Sequence, residues 1–223
     1  MSRLPLVSLY MKLPTKTLER KLFVNGYKQI IGIDEVGVGC LAGPVVVCAV
    51  SLNKDFFIKS HKKLRRLRDS KMLLPHQREI FAQRLLTEKD LVYALAYCYP
   101  KTIDRLNIYN AARQAMRKAI QKLKPNLNLK NMVLVDGKTR IQGMPLEQMP
   151  IVKGDRKVFA IACASIIAKV YRDKMMMGYA QKFPGYGFEK HKGYGTKEHK
   201  IQLVKLGPCA IHRKSFKPVS NLI

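Results

Sequence analysis

Acidic residues are scarce in this chain. Fifteen Asp and Glu stand against 42 Lys and Arg in 223 residues, leaving a formal charge of +27. A field of this size draws nucleic acid, anionic membrane or other polyanions toward the molecule, and it says nothing about fold. Long apolar runs are lacking as well. "PVVVCAV" and "FAIACASIIA" fall far short of the roughly 18 residues a membrane span needs, which excludes a spanning helix. Cysteine is sparse and never paired in pattern: Cys40, Cys48, Cys98, Cys163 and Cys209 are scattered and form no CxxC. That excludes a disulfide framework and a zinc ribbon, and leaves five free thiols suited to a reducing cytosol. There is no internal repeat and no low-complexity tract. With 47% hydrophobic residues the chain can bury a full core, and one domain is expected.

Residues 1–28 hold several basic residues and Glu19 as their one acid, without the apolar run and small-residue cleavage site of a secretory leader. They read as a flexible or loosely docked N-terminal extension, and Met11 offers a second start. The catalytic domain is expected to fill residues 29–223.

The remainder alternates β and helical patterns. Gln29 to Asp34 and Pro44 to Leu52 read as an antiparallel strand pair joined by a glycine-containing turn. "HKKLRRLRDSKML" is a basic connector that reads as a solvated face. Pro75 opens a helix striped by Ile80, Phe81 and Leu85, and "LVYALAYCYP" is a strand stopped by Pro100. From Thr102 to Leu123, Leu106, Tyr109, Ala112, Met116, Ala119 and Leu123 recur at helical spacing. "NMVLVDG" and "MPIVKGD" are short β runs. A helix rich in small residues follows from Val158 to Met177, then a Gly/Tyr/Lys-rich loop and a helical stretch from Thr196. This order points to a mixed sheet flanked by helices.

The scarce acids are unevenly placed. "IIGID-E", "MVLVD-G" and "PIVKG-D" climb through apolar residues and finish on carboxylates, putting Asp34, Glu35, Asp136 and Asp155 at strand ends. Parallel central strands would bring those ends to one edge, where open α/β sheets place their sites. Asp34 and Glu35 point to opposite faces unless the strand breaks, and Gly37 and Gly39 supply a break. Carboxylates gathered this way repel one another unless they share a cation, and an all-oxygen donor set favours Mg2+ or Mn2+ over Zn2+. Two such ions serve in-line phosphoryl hydrolysis, so a basic protein with a metal-charged acidic hole reads as a nuclease. Asp173 is a rival fourth ligand, but Arg172 and Lys174 flank it inside a helix, which favours surface ion pairing. "GYGFEKHKGYGTKEHK" interleaves Tyr186, Phe188 and Tyr194 with Lys190, Lys192 and Lys197, the mixture of a loop that tracks nucleic acid. Cys209 and His212 form an isolated CxxH with no second pair, too little for zinc. His191 and His199 read as surface or backbone-binding residues, Ser165 as a packing residue, and Lys169 and Arg172 as facing substrate or solvent.

"GIDEVGVGCLAGPVVVCAV", "DSKML", "VDG", "VKGD", "CASIIAKVYRD", "HKGYGT" and "HRKSF" occur in an order that resembles the type 2 ribonucleases H, and within them the ribonuclease HII family. The resemblance runs from Gln29 to about Val219. It implies a ribonuclease H-like five-stranded mixed sheet flanked by helices, with a C-terminal helical extension. It further implies Mg2+- or Mn2+-dependent cleavage of RNA in RNA/DNA hybrids, and incision 5′ to ribonucleotides embedded in duplex DNA, leaving 3′-hydroxyl and 5′-phosphate ends. The family's catalytic and metal-binding carboxylates match Asp34, Glu35, Asp136 and Asp155. Its Gly-Arg-Gly loop, which senses the ribose 2′-hydroxyl largely through backbone atoms, matches Gly37, Val38 and Gly39, with valine in the arginine's place. Its junction-reading tyrosine matches Tyr194, and Ser70 and Lys71 match phosphate contacts, with Met72 where a second lysine is usual. Ribonuclease HIII also lacks that arginine but carries an additional N-terminal nucleic-acid-binding domain, for which residues 1–28 leave no room. A cytosolic monomer acting on hybrids and ribonucleotide-containing duplexes, with no membrane partner, is the resulting expectation. A non-catalytic RNA- or ribosome-binding protein on the same scaffold, and a carboxylate-metal nuclease for structured DNA, are the alternatives.

Overall fold

A computed structural model describes residues 13–59, 64, 67, 70 and 73–223. Five strands form one mixed sheet in the order β3-β2-β1-β4-β5, with β1 at Gln29–Val36, β2 at Val45–Leu52, β3 at Leu91–Cys98, β4 at Asn131–Asp136 and β5 at Glu147–Ile151. β1 and β2 pair antiparallel, as their short turn requires, and β3 pairs antiparallel with β2; β4 joins β1 in parallel after the helices that follow β3, and β5 joins β4 in parallel through a connection without a helix. Every residue of β2 is buried, because helices cover both faces of the sheet.

One face packs on α7, Phe159–Lys182, with α3, Pro75–Leu86, beside it. Small side chains let α7 lie close: Ala160, Ala162, Ala164 and Ala168 are fully buried, and Gly32 of β1 touches the Ala160 backbone. The opposite face packs on α5, Ile108–Leu123, through Ala111, Ala115, Met116, Ala119 and Ile120. The expected helix from Thr102 to Leu123 is in fact two. A first helix, α4 at Pro100–Leu106, ends at Asn107, whose φ of 65° breaks the ladder and whose side chain accepts a hydrogen bond from the Asn110 amide to cap α5. The break turns Tyr109 out of the expected apolar stripe to an exposed position.

Several other expectations are corrected. Residues 17–24 form a helix, α1, docked on the core through Leu22 and the buried Glu19, rather than loose extension; residues 1–12 lie outside the described residues. Thr15 pairs with the backbone at Lys157 and Phe159, which ties this segment to the start of α7. A short helix, α2 at Lys54–Lys59, follows β2. In the basic connector Leu64, Leu67 and Leu73 are core residues, so these three leucines face inward while the cations set its composition. The chain closes with α8 at Phe188–His191, α9 at Lys197–Leu206 and a 3-10 turn at Val219–Leu222; the short α6, Gly154–Lys157, sits between β5 and α7.

Candidate active site and nucleic-acid interface

The parallel register of β1 and β4 pairs Ile33 with Val135, so one step further Asp34, two residues before the end of β1, lies beside Asp136, the last residue of β4. Alternation then places them on the α7 face: Ile33 and Val135 pack with the α5 core, and Asp34 and Asp136 follow on the opposite side. Glu35 points the other way and, with Val38, Asp136, Tyr109, Arg113 and Arg140, lines a cavity of about 390 Å³ between α5 and the loop after β4. Strand β1 continues through both acids to Val36, so the break expected between them falls just beyond, at Gly37. Asp155 does not end a strand. After β5 the chain turns through Lys153, at a φ of 56°, into the single turn of α6, where Asp155 is buried.

Burial pushes the Asp34 carboxyl well above the usual carboxylate range, and the negative charges of Glu35, Asp136 and Asp155 push it further; the Ser165 hydroxyl opposes them. Asp34 Oδ1 accepts from the Glu35 amide at 2.8 Å, and Asp136 Oδ1 accepts from the Gly154 amide at 2.6 Å. These backbone bonds aim the carboxylates and tie β4 to the turn that carries Asp155. Among the described residues no three His, Cys, Asp or Glu side chains are gathered closely enough to hold a metal ion. An open set of carboxylates, all oxygen donors crowding the buried Asp34, suits a hard divalent cation that keeps waters and phosphate oxygens among its ligands. It does not suit zinc, which takes a closed nitrogen and sulfur set in structural sites.

Ser165, expected to be packing, is the polar link that sequence reasoning missed. Its hydroxyl lies 3.0 Å from that of Ser70 and also reaches Asp34, so Ser70 is buried against α7 rather than offered at the surface. Arg78 holds the segment by donating to the Ser70 and Leu73 carbonyls, and it pairs with Asp173 at 3.5 Å. Asp173 also bonds Lys169 at 2.7 Å, which places it in an ion-pair network away from the carboxylate group. Lys71 lies outside the described residues.

Tyr194 sits beside the Gly37–Gly39 turn because Cys40 and Tyr194 form an antiparallel bridge. Its hydroxyl meets the Cys40 thiol, and Arg172 and Lys169 lie over its ring at 5.7 and 5.5 Å; burial pushes the phenol up to about 12. Arg172 faces neither substrate nor solvent. It is fully buried and donates to the carbonyls of Pro44, Ala42 and Lys192. His191, His199 and His212 are likewise buried rather than superficial. Cys209 N–H donates to His212 Nδ1, His212 Nε2 and His199 Nε2 are 3.1 Å apart, and His199 Nδ1 is 2.9 Å from the Tyr194 carbonyl. With His212 Nδ1 accepting, His212 donates through Nε2 and His199 through Nδ1, so both rings are neutral links that steady the Tyr194 backbone. Burial lowers both to about 4, in keeping with that arrangement.

Comparison with known proteins gives one consistent answer. The family model for ribonuclease HII matches residues 31–219. A ribonuclease HII of Caldicellulosiruptor bescii is 46% identical over 199 residues, covering 89% of this chain and 91% of the relative. Among solved structures, ribonuclease H2 from Pyrococcus horikoshii superposes with a TM-score of 0.67 at 24% identity, covering 87% of this chain and 96% of that one. A Bst-RNase HIII solved in complex with Mn2+ is similar in fold at a TM-score of 0.61 and 16% identity, covering 88% and 70% of the two chains.

Proposed function

The chain belongs to the ribonuclease HII family, and we propose that Asp34, Glu35, Asp136 and Asp155 are the catalytic carboxylates of its endoribonuclease activity on RNA in RNA/DNA hybrids. The observation that carries this reading is electrostatic: three other acids of a strongly basic chain press on the buried carboxyl of Asp34, where two adjacent parallel strands bring it beside Asp136. In a site without a cation that crowding is pure cost, and a bound cation turns it into affinity.

The family is divalent-metal dependent. Mg2+ or Mn2+ fits here, held by Asp34, Glu35, Asp136 and Asp155, where it would supply an activated water and charge neutralisation at the phosphate. The residues do the rest. Asp136, bonded to the Gly154 amide, keeps a fixed orientation between β4 and α6. Ser165 holds one face of Asp34 and favours its charged form. Arg113, which donates to Thr139, and the neighbouring Lys138 and Arg140 rim the cavity that Glu35 and Asp136 share. They give a path for phosphates leading to the carboxylates. Gly37, Val38 and Gly39 face the ribose, Tyr194 reads the RNA–DNA junction, and Lys71 belongs to the phosphate-binding side, while Ser70 acts from beneath through Ser165. Single ribonucleotides embedded in duplex DNA are the second substrate class, incised on their 5′ side. The five free thiols suit a reducing cytoplasm, and we take the working unit to be a monomer.

The test is cleavage of three duplexes in Mg2+ or Mn2+: a uniform RNA/DNA hybrid, a DNA duplex with one ribonucleotide, and all-DNA. Cutting of the first two, with loss of at least about 100-fold in kcat for Asp136→Asn and hybrid binding retained, is expected for removal of a metal-binding charge. Binding without cleavage by the wild type would make the chain a nucleic-acid-binding module. Unchanged turnover in Asp136→Asn would remove Asp136 from the site.

A further inference from the structure

Two arginines beneath the turn after β1 are fully buried and bonded chiefly to backbone carbonyls. Arg172 serves Pro44, Ala42 and Lys192, as described above. Arg213, in the segment that follows α9, donates from Nε to the Gly43 carbonyl at 3.1 Å, from Nη1 to the Val38 carbonyl at 2.8 Å and from Nη2 to the Gly37 carbonyl at 2.6 Å. Burying a guanidinium on neutral acceptors is costly, and at most positions an apolar side chain would stabilise the fold as well or better. The arrangement therefore calls for a reason beyond packing.

The reason lies in the peptide planes. In a trans peptide the C=O and the following N–H point in opposite directions. Arg213 draws the Gly37 and Val38 carbonyls inward, so the amides of Val38 and Gly39 are turned outward. Val38 is partly exposed and lines the cavity next to Glu35 and Asp136, and Gly39 is exposed. Gly37 can take this shape only as glycine, since its φ is 94° and a Cβ there would lie 2.3 Å from Arg172 Nε. The two guanidiniums thus shape the turn from below, one by pulling carbonyls and one by filling the space a side chain would need.

We propose that Arg213 is a positioning residue for sugar discrimination: by fixing both carbonyls inward it presents the Val38 and Gly39 amides as a preset donor pair for the ribose hydroxyl. The inference rests on reading the Gly37–Gly39 turn as the ribose-facing element and adds the residue that sets its polarity. It also explains how the turn works without a cationic side chain of its own. Positive charge is supplied from beneath, and the contact to substrate is made by backbone. Arginine is required because three carbonyls are met by three nitrogens of one planar group, a task a single ammonium cannot repeat. Burial holds the Arg213 guanidinium down at about 10, still cationic at neutral pH.

The experiment measures binding of the full chain, without divalent metal, to a DNA duplex carrying one ribonucleotide and to the same duplex with deoxyribose at that position. The wild type is expected to favour the ribonucleotide. Arg213→Lys is expected to lower that preference on the order of tenfold, as when a donor pair loses its orientation, while affinity for the all-deoxy duplex changes less than about threefold, since charge is kept. A merely structural role would weaken both duplexes together and leave the ratio unmoved, which would overturn the proposal. Should Arg213→Lys fail to fold, the wild type decides the matter through the backbone amide resonances of Val38 and Gly39. They are expected to shift with the ribonucleotide duplex and not with the all-deoxy one, and equal shifts with both would overturn the idea. Equal binding of the two duplexes by the wild type would overturn the ribose-facing reading along with the proposal. Cleavage surviving Asp136→Asn would overturn the carboxylate assignment alone.

Discussion

Glu19 should make stability fall as pH rises through the neutral range. Its side chain is fully buried between α1 and the start of α7, and Oε1 accepts from the Ala160 amide at 2.9 Å. Burial pushes its carboxyl up to about 7, against the pull of the Ala160 and Phe159 amides and of Lys16. In the unfolded chain it returns to the ordinary 4.5. Between those values the folded protein keeps a proton that the unfolded chain has released. The stabilising contribution is whole below about 4.5, drains as pH rises, and is gone above about 7. At about 1.4 kcal/mol per pH unit the full effect is about 3.5 kcal/mol, of which about 3 kcal/mol is lost above pH 4.5. Glu19→Gln, neutral at every pH, isolates it: urea unfolding of both proteins from pH 4.5 to 8 should show the wild type losing about 3 kcal/mol relative to the variant. A difference that stays level within about 1 kcal/mol would refute the reasoning. It would mean that the amides at the head of α7 hold the anion as firmly as burial disfavours it.

Two substitutions probe how the sheet presents its acids. Gly32→Ala would set a Cβ 2.2 Å from the carbonyl carbon of Ala160, a backbone atom that cannot rotate aside, so α7 must retreat from β1; a loss of about 3 kcal/mol in urea unfolding is expected, the upper end for overpacking, and a loss below about 1 kcal/mol would show that α7 slides freely. Ser165→Ala removes the hydroxyl shared by Ser70 and Asp34; cleavage should fall about fivefold with binding of hybrid intact, the kinetic counterpart of a hydrogen bond of about 1 kcal/mol, and unchanged kcat would confine Ser165 to packing.

What the sequence revealed depended on how local the cause was. Asp34 and Asp136 were legible because an apolar run ending in an acid names the end of a buried strand, and parallel pairing of two such strands is enough to bring the ends together. Asp155 was misplaced because "PIVKGD" carries the same pattern while Lys153 adopts a left-handed turn that nothing in its side chain announces. The Asn107 break was hidden in the same way: periodicity runs across it, and only the backbone conformation divides the helix. Arg172 was read as facing substrate or solvent, His199 as a surface or backbone-binding residue, and Arg213 drew no reading of its own. Their partners are carbonyls and ring nitrogens distant in sequence, so no local pattern could show that they were buried. Ser165 was lost among small residues, where a hydroxyl and a methyl pack alike.

The cations of this chain divide into two kinds of work. Among the described residues most are exposed or half-buried, where they raise the local concentration of any nucleic acid and carry no information about its sugar, since every duplex has the same phosphate charge. Arg172 and Arg213 are withdrawn from that field and made to organise carbonyls. What they organise is neutral backbone, which can tell a hydroxyl from a hydrogen where a flexible ammonium would tell only charge. The acids divide in the opposite sense. Few are present, and four of them lie at one end of the sheet, where mutual repulsion leaves them in want of a cation. On the roles proposed above, attraction, discrimination and hydrolysis rest on different groups, so substituting one set should leave the other two measurable.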